Sequence, residues 1–218
     1  MNTHFPSQFF RIMLLIMFHF IFFSGISAHY KPNPEMGSGK VYRILEGSIL
    51  TISGKTNMNH FSCSCSEPMP AQVFYIDELD DEHCTTIFRE TNHVLKINSL
   101  DCGNKMMNKD MYKALNSSLY PDIKIELLEV SNEKCDLSGN STSKTKFIAL
   151  TRITLNGKSR NYWMKVTVQE ITTNKFHFIT EKDITMSDFD ITPPTAAFGL
   201  VKVRDEIKIS LDMVVIFE

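Results

Sequence analysis

Residues 147–157 read Phe-Ile-Ala-Leu-Thr-Arg-Ile-Thr-Leu-Asn-Gly. Phe147, Ala149, Thr151, Ile153 and Leu155 share one face of an extended chain, because successive side chains of a strand point to opposite sides. Asn156-Gly157 then supplies two residues that tolerate positive φ, the requirement of a tight hairpin. Beyond the turn the period continues: Met164, Val166 and Val168 alternate with Lys165, Thr167 and Gln169. Two long strands joined in this way, each apolar on one side only, define antiparallel sheet with one buried and one wet face.

The same period extends in both directions. Leu50 and Ile52 alternate with Thr51 and Ser53 before Gly54, which reads as a turn. Ile123, Ile125 and Leu127 alternate with Lys124 and Glu126. Phe176 and Phe178 bracket His177, after a turn at Thr173-Asn174. Ile207, Ile209, Leu211 and Met213 alternate with Lys208, Ser210 and Asp212. One stretch differs. Met107, Met111, Ala114 and Leu115 recur at helical spacing, with Asn104 as N-cap and Tyr120-Pro121 as the stop. Residues 131–146 are polar and read as a hairpin tip. Many strands with one inserted helix predict a closed or nearly closed antiparallel barrel. Period two alone does not separate a filled barrel from a hollow one, because both bury the same face.

The 218 residues, 43% hydrophobic and 22% charged, suit one ordinary domain or two small ones, and exclude a disordered or coiled-coil chain. Lys plus Arg number 23 against 25 for Asp plus Glu, without the basic excess of a nucleic-acid binder. Residues 1–28 stand apart. Arg11 precedes an apolar run from Ile12 to Phe23, broken by His19, and Ser24, Gly25, Ser27 and Ala28 follow. That order predicts a secretory signal peptide over 1–28 and a mature domain over 29–218, with no membrane span after cleavage. The twelve residues Ile12 to Phe23 make only about 18 Å of helix against a bilayer core of about 30 Å. Cleavage would remove one cation and no acid, leaving net −3 (22 − 25). The expected location is the periplasm or the exterior, where Cys63, Cys65, Cys84, Cys102 and Cys135 would form disulfides and leave one odd thiol.

Catalytic patterns are sparse. The chain has no nucleophile elbow, zinc-protease helix or phosphate-binding glycine loop. His29, His60, His83, His93 and His177 share no metal-ligand spacing, and the acidic run from Asp77 to Glu82 lacks the pattern of a calcium loop. The expectation is a protein without catalytic residues, metal or cofactor.

Three stretches taken together resemble the YceI family of exported lipid-binding proteins. One runs from Val94 through Leu100-Asp101-Cys102-Gly103-Asn104 and the helix to Leu119-Tyr120-Pro121-Asp122-Ile123. The second is Leu155-Asn156-Gly157-Lys158-Ser159-Arg160. The third is Met186-Ser187-Asp188-Phe189-Asp190-Ile191-Thr192-Pro193-Pro194, continuing through Gly199-Leu200-Val201-Lys202-Val203 to Ile207. The Arg-Ser-Asp-Phe-Gly and Arg-Asp-x-His signatures of many family members are replaced here, so the resemblance carries over the barrel and not the family's polar head-group contacts. The resemblance implies a lipocalin-like, extended eight-stranded barrel holding a polyisoprenoid, of prenyl quinone or prenyl phosphate type, for carriage or storage. The lumen residues would be Phe147, Ile153, Leu155, Met164, Val166, Phe176, Phe178, Met186, Ile207, Ile209 and Leu211. Met107, Met111 and Leu115 would form a lid, and Cys102 would pair with Cys63 or Cys65. A homodimer is compatible with this reading. The competing readings are a barrel enzyme acting on a lipidic substrate, for which Asp188 is the best polar candidate, and a packed barrel serving protein interaction.

Overall fold

The computed structural model describes residues 39–65, 71–80, 84–132 and 144–218; the expected signal peptide, Cys135 and most of the expected 131–146 hairpin tip lie outside them. Among the described residues twelve strands form, in order β1 (Lys40–Ile44), β2 (Ile49–Thr56), β3 (His60–Cys65), β4 (Gln72–Asp80), β5 (Thr85–Arg89), β6 (Asn92–Lys96), β7 (Asp122–Ser131), β8 (Thr145–Leu155), β9 (Lys158–Thr172), β10 (Lys175–Thr185), β11 (Thr195–Ala196) and β12 (Val201–Phe217). The helix α1 (Lys105–Ala114) lies between β6 and β7. Strands β1-β4-β5-β7-β8-β9-β10-β12 form an antiparallel circuit that closes where β12 pairs β1, with Phe217 opposite Tyr42. The chain is therefore an eight-stranded barrel with additional strands.

Those extra strands extend one end. Strand β12 is long enough to pair β1 near its C-terminus and β2 through Ile207–Asp212. Strand β7 likewise pairs β5 at one end and β6 at the other. At the β2/β3/β6 end the ladder does not close. The gap between β3 and the segment after β6 is bridged by reciprocal backbone hydrogen bonds of Ser64 and Asp101, both 2.9 Å, and by the adjacent Cys63–Cys102 disulfide. Strands β9 and β10 also part company beyond Val166 and Thr180. The turn Ser187–Phe189 packs there, with Phe189 fully buried and its carbonyl accepting from Asn156 Nδ2 at 3.0 Å.

Local chemistry accounts for the punctuation. Asn156 and Gly157 turn β8 into β9 with φ of 49° and 70°, the left-handed pair that a two-residue hairpin requires. The Asn104 side chain caps α1 by accepting from the amides of Met106 and Met107. Gly54 corrects the expected turn: it lies inside β2, and a Cβ there would sit 2.6 Å from the Phe61 ring of β3. The turn falls at residues 57–59 instead, where the Thr56 hydroxyl accepts from the amides of Met58 and Asn59.

The interior divides along the barrel axis. One apolar cluster includes Leu50, Ile52, Leu95, Ile97, Leu100, Ile123, Ile153, Met186 and Ile209, with α1 packed against it through Met111 and Tyr112. The other is aromatic: Tyr42, Phe74 and Phe88 with Ile44 and Val215, flanked by Phe178 and Phe217. Phe176 joins it through an edge-on contact with Phe217 at 5.7 Å. The inner-facing Thr151 and Thr180 are buried on β8 and β10 between the two ends.

Candidate binding cavity

A cavity of about 170 Å³ lies in the aliphatic half. Its wall comes from β2 (Leu50, Ile52, Thr56), β3 (Phe61, Cys63), β7 (Ile123, Ile125), β8 (Ile153, Leu155), the N-terminal half of β12 (Val201, Val203, Ile207, Ile209), Met186 and Pro194 to Ala196. Helix α1 covers it with Met107, Asp110, Met111 and Ala114, and Leu115 follows. Met107, Asp110, Thr195 and Ala196 are also exposed, so the mouth opens between α1 and β11. The lining is almost wholly carbon and sulfur. An apolar cavity of about 150 Å³ is large enough to hold benzene, so this one accommodates a short apolar segment rather than a whole long chain.

Exposed apolar side chains flank the β11 side of the mouth. Phe198 is fully exposed with a left-handed φ of 56°, unusual for a bulky residue, and Leu200 and Met58 are exposed nearby. Asn57 fixes this edge: its Nδ2 donates to the Leu200 carbonyl and its Oδ1 accepts from the Lys202 amide.

The sequence-expected residues divide by level. Ile153, Leu155, Met186, Ile207 and Ile209 line the cavity, as do Met107, Met111 and Leu115 of the expected lid. Phe147, Met164, Val166, Phe176, Phe178 and Leu211 do not line it. Phe176 and Phe178 belong to the aromatic end, Met164 is buried opposite Ala149, Phe147 pairs with Val166, and Leu211 packs at the edge of the aliphatic cluster. Alternation identifies the inner face of a strand but not the height of a residue along the barrel. Leu50, Ile52, Ile123, Ile125, Val201 and Val203 alternate with polar residues in the same way and were missed for that reason; Pro194 to Ala196 carry no alternation.

Cys102 pairs with Cys63, and both sulfurs belong to residues of the cavity wall. The Cys102 Sγ also lies 3.6 Å from Met111 Sδ on α1. Cys84 is disulfide-bonded too, whereas Cys65 is free and buried, 3.4 Å from the Ser99 hydroxyl. Asp188 has a structural occupation. It accepts from the Tyr162 hydroxyl at 3.0 Å and from the Thr185 amide, and these bonds hold its carboxyl below the usual range. Burial raises the Tyr162 hydroxyl, keeping it a donor in this pair. Among the described residues, no group of three or more His, Cys, Asp or Glu side chains is placed to hold a metal, and no helix is long and apolar enough to cross a membrane.

A closed antiparallel barrel of eight strands is the architecture of lipocalin-like barrels. The polyisoprenoid-binding domain from Saccharophagus degradans matches 80% of this chain and 97% of its own at a TM-score of 0.56 and 10% identity. Burkholderia cenocepacia BcnA matches 77% of this chain and 95% of its own at 0.55 and 18%. The YceI protein of Campylobacter jejuni covers 90% and 92% at 0.47 and 13%. The fold is therefore that of the first two of these solved barrels. No family model and no curated protein matches the sequence.

Proposed function

We propose that the protein is exported and that it binds an isoprenoid chain in this cavity, for carriage or storage and without chemical conversion. The observation that carries the reading is the cavity itself: an apolar, thioether-containing chamber with a lateral mouth, in a barrel shared with a polyisoprenoid-binding domain. Each methylene buried contributes about 0.8 kcal/mol, so two isoprene units suffice for useful affinity with few polar contacts. Met107, Met111 and Met186 repack easily around a flexible chain. The segment 1–28 and the Cys63–Cys102 disulfide both suit an oxidising compartment, the periplasm or the exterior.

The test is mass spectrometry of organic extracts from protein purified natively, beside an Ala114→Phe variant. The added ring projects into the cavity from α1. Wild type is expected to release an isoprenoid lipid in near-stoichiometric amount, and the folded variant much less. Wild type that arrives empty and takes up no added isoprenoid would refute the reading.

A further inference from the structure

Two hairpin tips meet beside the mouth of the cavity. The turn from β2 to β3 carries Met58, and the turn from β11 to β12 carries Phe198 and Leu200. Asn57 ties the tips together. Its amide donates to the Lys202 carbonyl at 3.0 Å, its Nδ2 donates to the Leu200 carbonyl, and its Oδ1 accepts from the Lys202 amide. These bonds use only backbone atoms of Leu200 and Lys202 and leave their side chains outside. Met58 is 68% exposed, Leu200 72% and Phe198 wholly, and none of the three lines the cavity. Large apolar side chains gathered at one edge in water mark a contact surface. Phe198 is held there from a left-handed φ that bulky residues rarely adopt, next to Gly199 in the same region.

The same edge is cationic. From Ile49 to Cys65 and from Ile191 to Arg204 the chain has no Asp or Glu, whereas it has Lys55, Lys202 and Arg204. Val201 and Val203 line the cavity, so Lys202 and Arg204 alternate to the outer side. All three cations are exposed, and none has a carboxylate partner among the described residues. The next acid along β12, Asp205, is engaged by Ser187. Across the mouth, α1 sets Lys105, Lys109 and Lys113 against the single acid Asp110. The whole chain has 25 acids against 23 bases, so this edge departs from its average.

We propose that this edge docks the protein on an anionic lipid bilayer. Phe198, Leu200 and Met58 seat among the upper acyl chains, and Lys55, Lys202 and Arg204 stay at the level of the head groups. Apolar side chains flanked by cations are the recipe of an interfacial anchor. A second copy of this chain would meet the edge with the same cations, whereas anionic lipid meets it with the opposite charge. Docking sets the mouth between α1 and β11 against the membrane, so that a chain passes between bilayer and cavity without crossing water. The inference rests on the isoprenoid reading of the cavity for its purpose and adds the surface from which the cavity is loaded.

The experiment floats the purified protein with vesicles of phosphatidylcholine alone, or of phosphatidylcholine and phosphatidylglycerol in equal parts. Uptake of farnesol added from solution is measured in parallel on delipidated protein. Wild type is expected to bind the anionic vesicles more than tenfold more tightly than the neutral ones, and high salt to weaken that binding. Phe198→Ser/Leu200→Ser should bind anionic vesicles about tenfold less than wild type and take up farnesol equally well, because neither side chain lines the cavity. The comparison of vesicles on wild type needs no variant to fold. Equal binding to both vesicles, no binding to either, or a variant that binds like wild type overturns the docking; farnesol uptake then leaves the cavity reading standing. Docking without farnesol uptake overturns the cavity reading alone. A wild-type dimer in sedimentation that ignores vesicles, and that the variant dissolves, overturns the docking and gives the edge to a second copy.

Discussion

Removing the Cys63–Cys102 bridge tests whether the seam beneath the helix is held chemically. In the double variant Cys63→Ala/Cys102→Ala the junction between β3 and the helix leader retains the reciprocal Ser64 and Asp101 backbone bonds and the Cys65–Ser99 contact. The bridge spans 39 residues of chain, and closing a loop of that length stabilises by about 4 kcal/mol in the chain-entropy treatment. For a domain of this size each kcal/mol moves the melting temperature by about 2–4 °C, so a fall of about 8–16 °C is expected. Mutation is preferable to reductant, because Cys84 is also disulfide-bonded. Calorimetry gives the global loss, and amide hydrogen exchange locates it. The segment from Ile97 to Leu115 is expected to lose protection first, since Cys102 touches Met111 and Asn104 caps the helix two residues later. A fall under 3 °C, or protection lost evenly over the barrel, would refute the view that the bridge holds the seam.

Acid stability carries the signature of His93. Its depressed folded-state pKa means the unfolded chain takes up a proton near pH 6.5 that the folded protein refuses until about 4, so this stability is complete above 6.5 and lost as pH falls to 4. The loss is about 3 kcal/mol; urea unfolding at pH 7 and 4 should show His93→Phe losing less than wild type by that amount, and equal losses would contradict it. Gly157→Ala should destabilise by about 2 kcal/mol in chemical denaturation, because its φ is 70° and the new methyl would stand 2.6 Å from the Tyr120 ring. An unchanged midpoint would show that Tyr120 yields freely. Trp163 is half exposed on the outer face of β9, so its emission should be readily quenched by acrylamide and unaffected by a ligand in the cavity. A ligand-dependent shift would place the binding elsewhere.

The barrel was legible because its signals are local. Asn156-Gly157, the Asn104 cap and the run from Ile207 to Met213 each state a turn, a helix start or a two-sided strand within a few residues. Gly54 shows where local reading stops: the same residue that ends strands elsewhere is retained inside β2 because the Phe61 ring of the neighbouring strand occupies the space of its side chain. Neither Phe61 nor the choice between turn and strand is visible from Gly54 and its immediate neighbours.

The binding level follows a different rule. Along β12 the inner positions change character without changing period. Val203, Ile207 and Ile209 face the cavity, whereas Met213, Val215 and Phe217 belong to the aromatic end. What separates them is register, and register depends on strands far apart in sequence: Ile209 is set by Ile52, Phe217 by Tyr42. The same holds for His93. Nothing within ten residues marks it, since its hydrogen-bond partner Tyr42 lies 51 positions earlier. A cavity in a barrel is thus written in pairings between strands, and the residue types that alternation reveals supply the wall but not its level along the barrel.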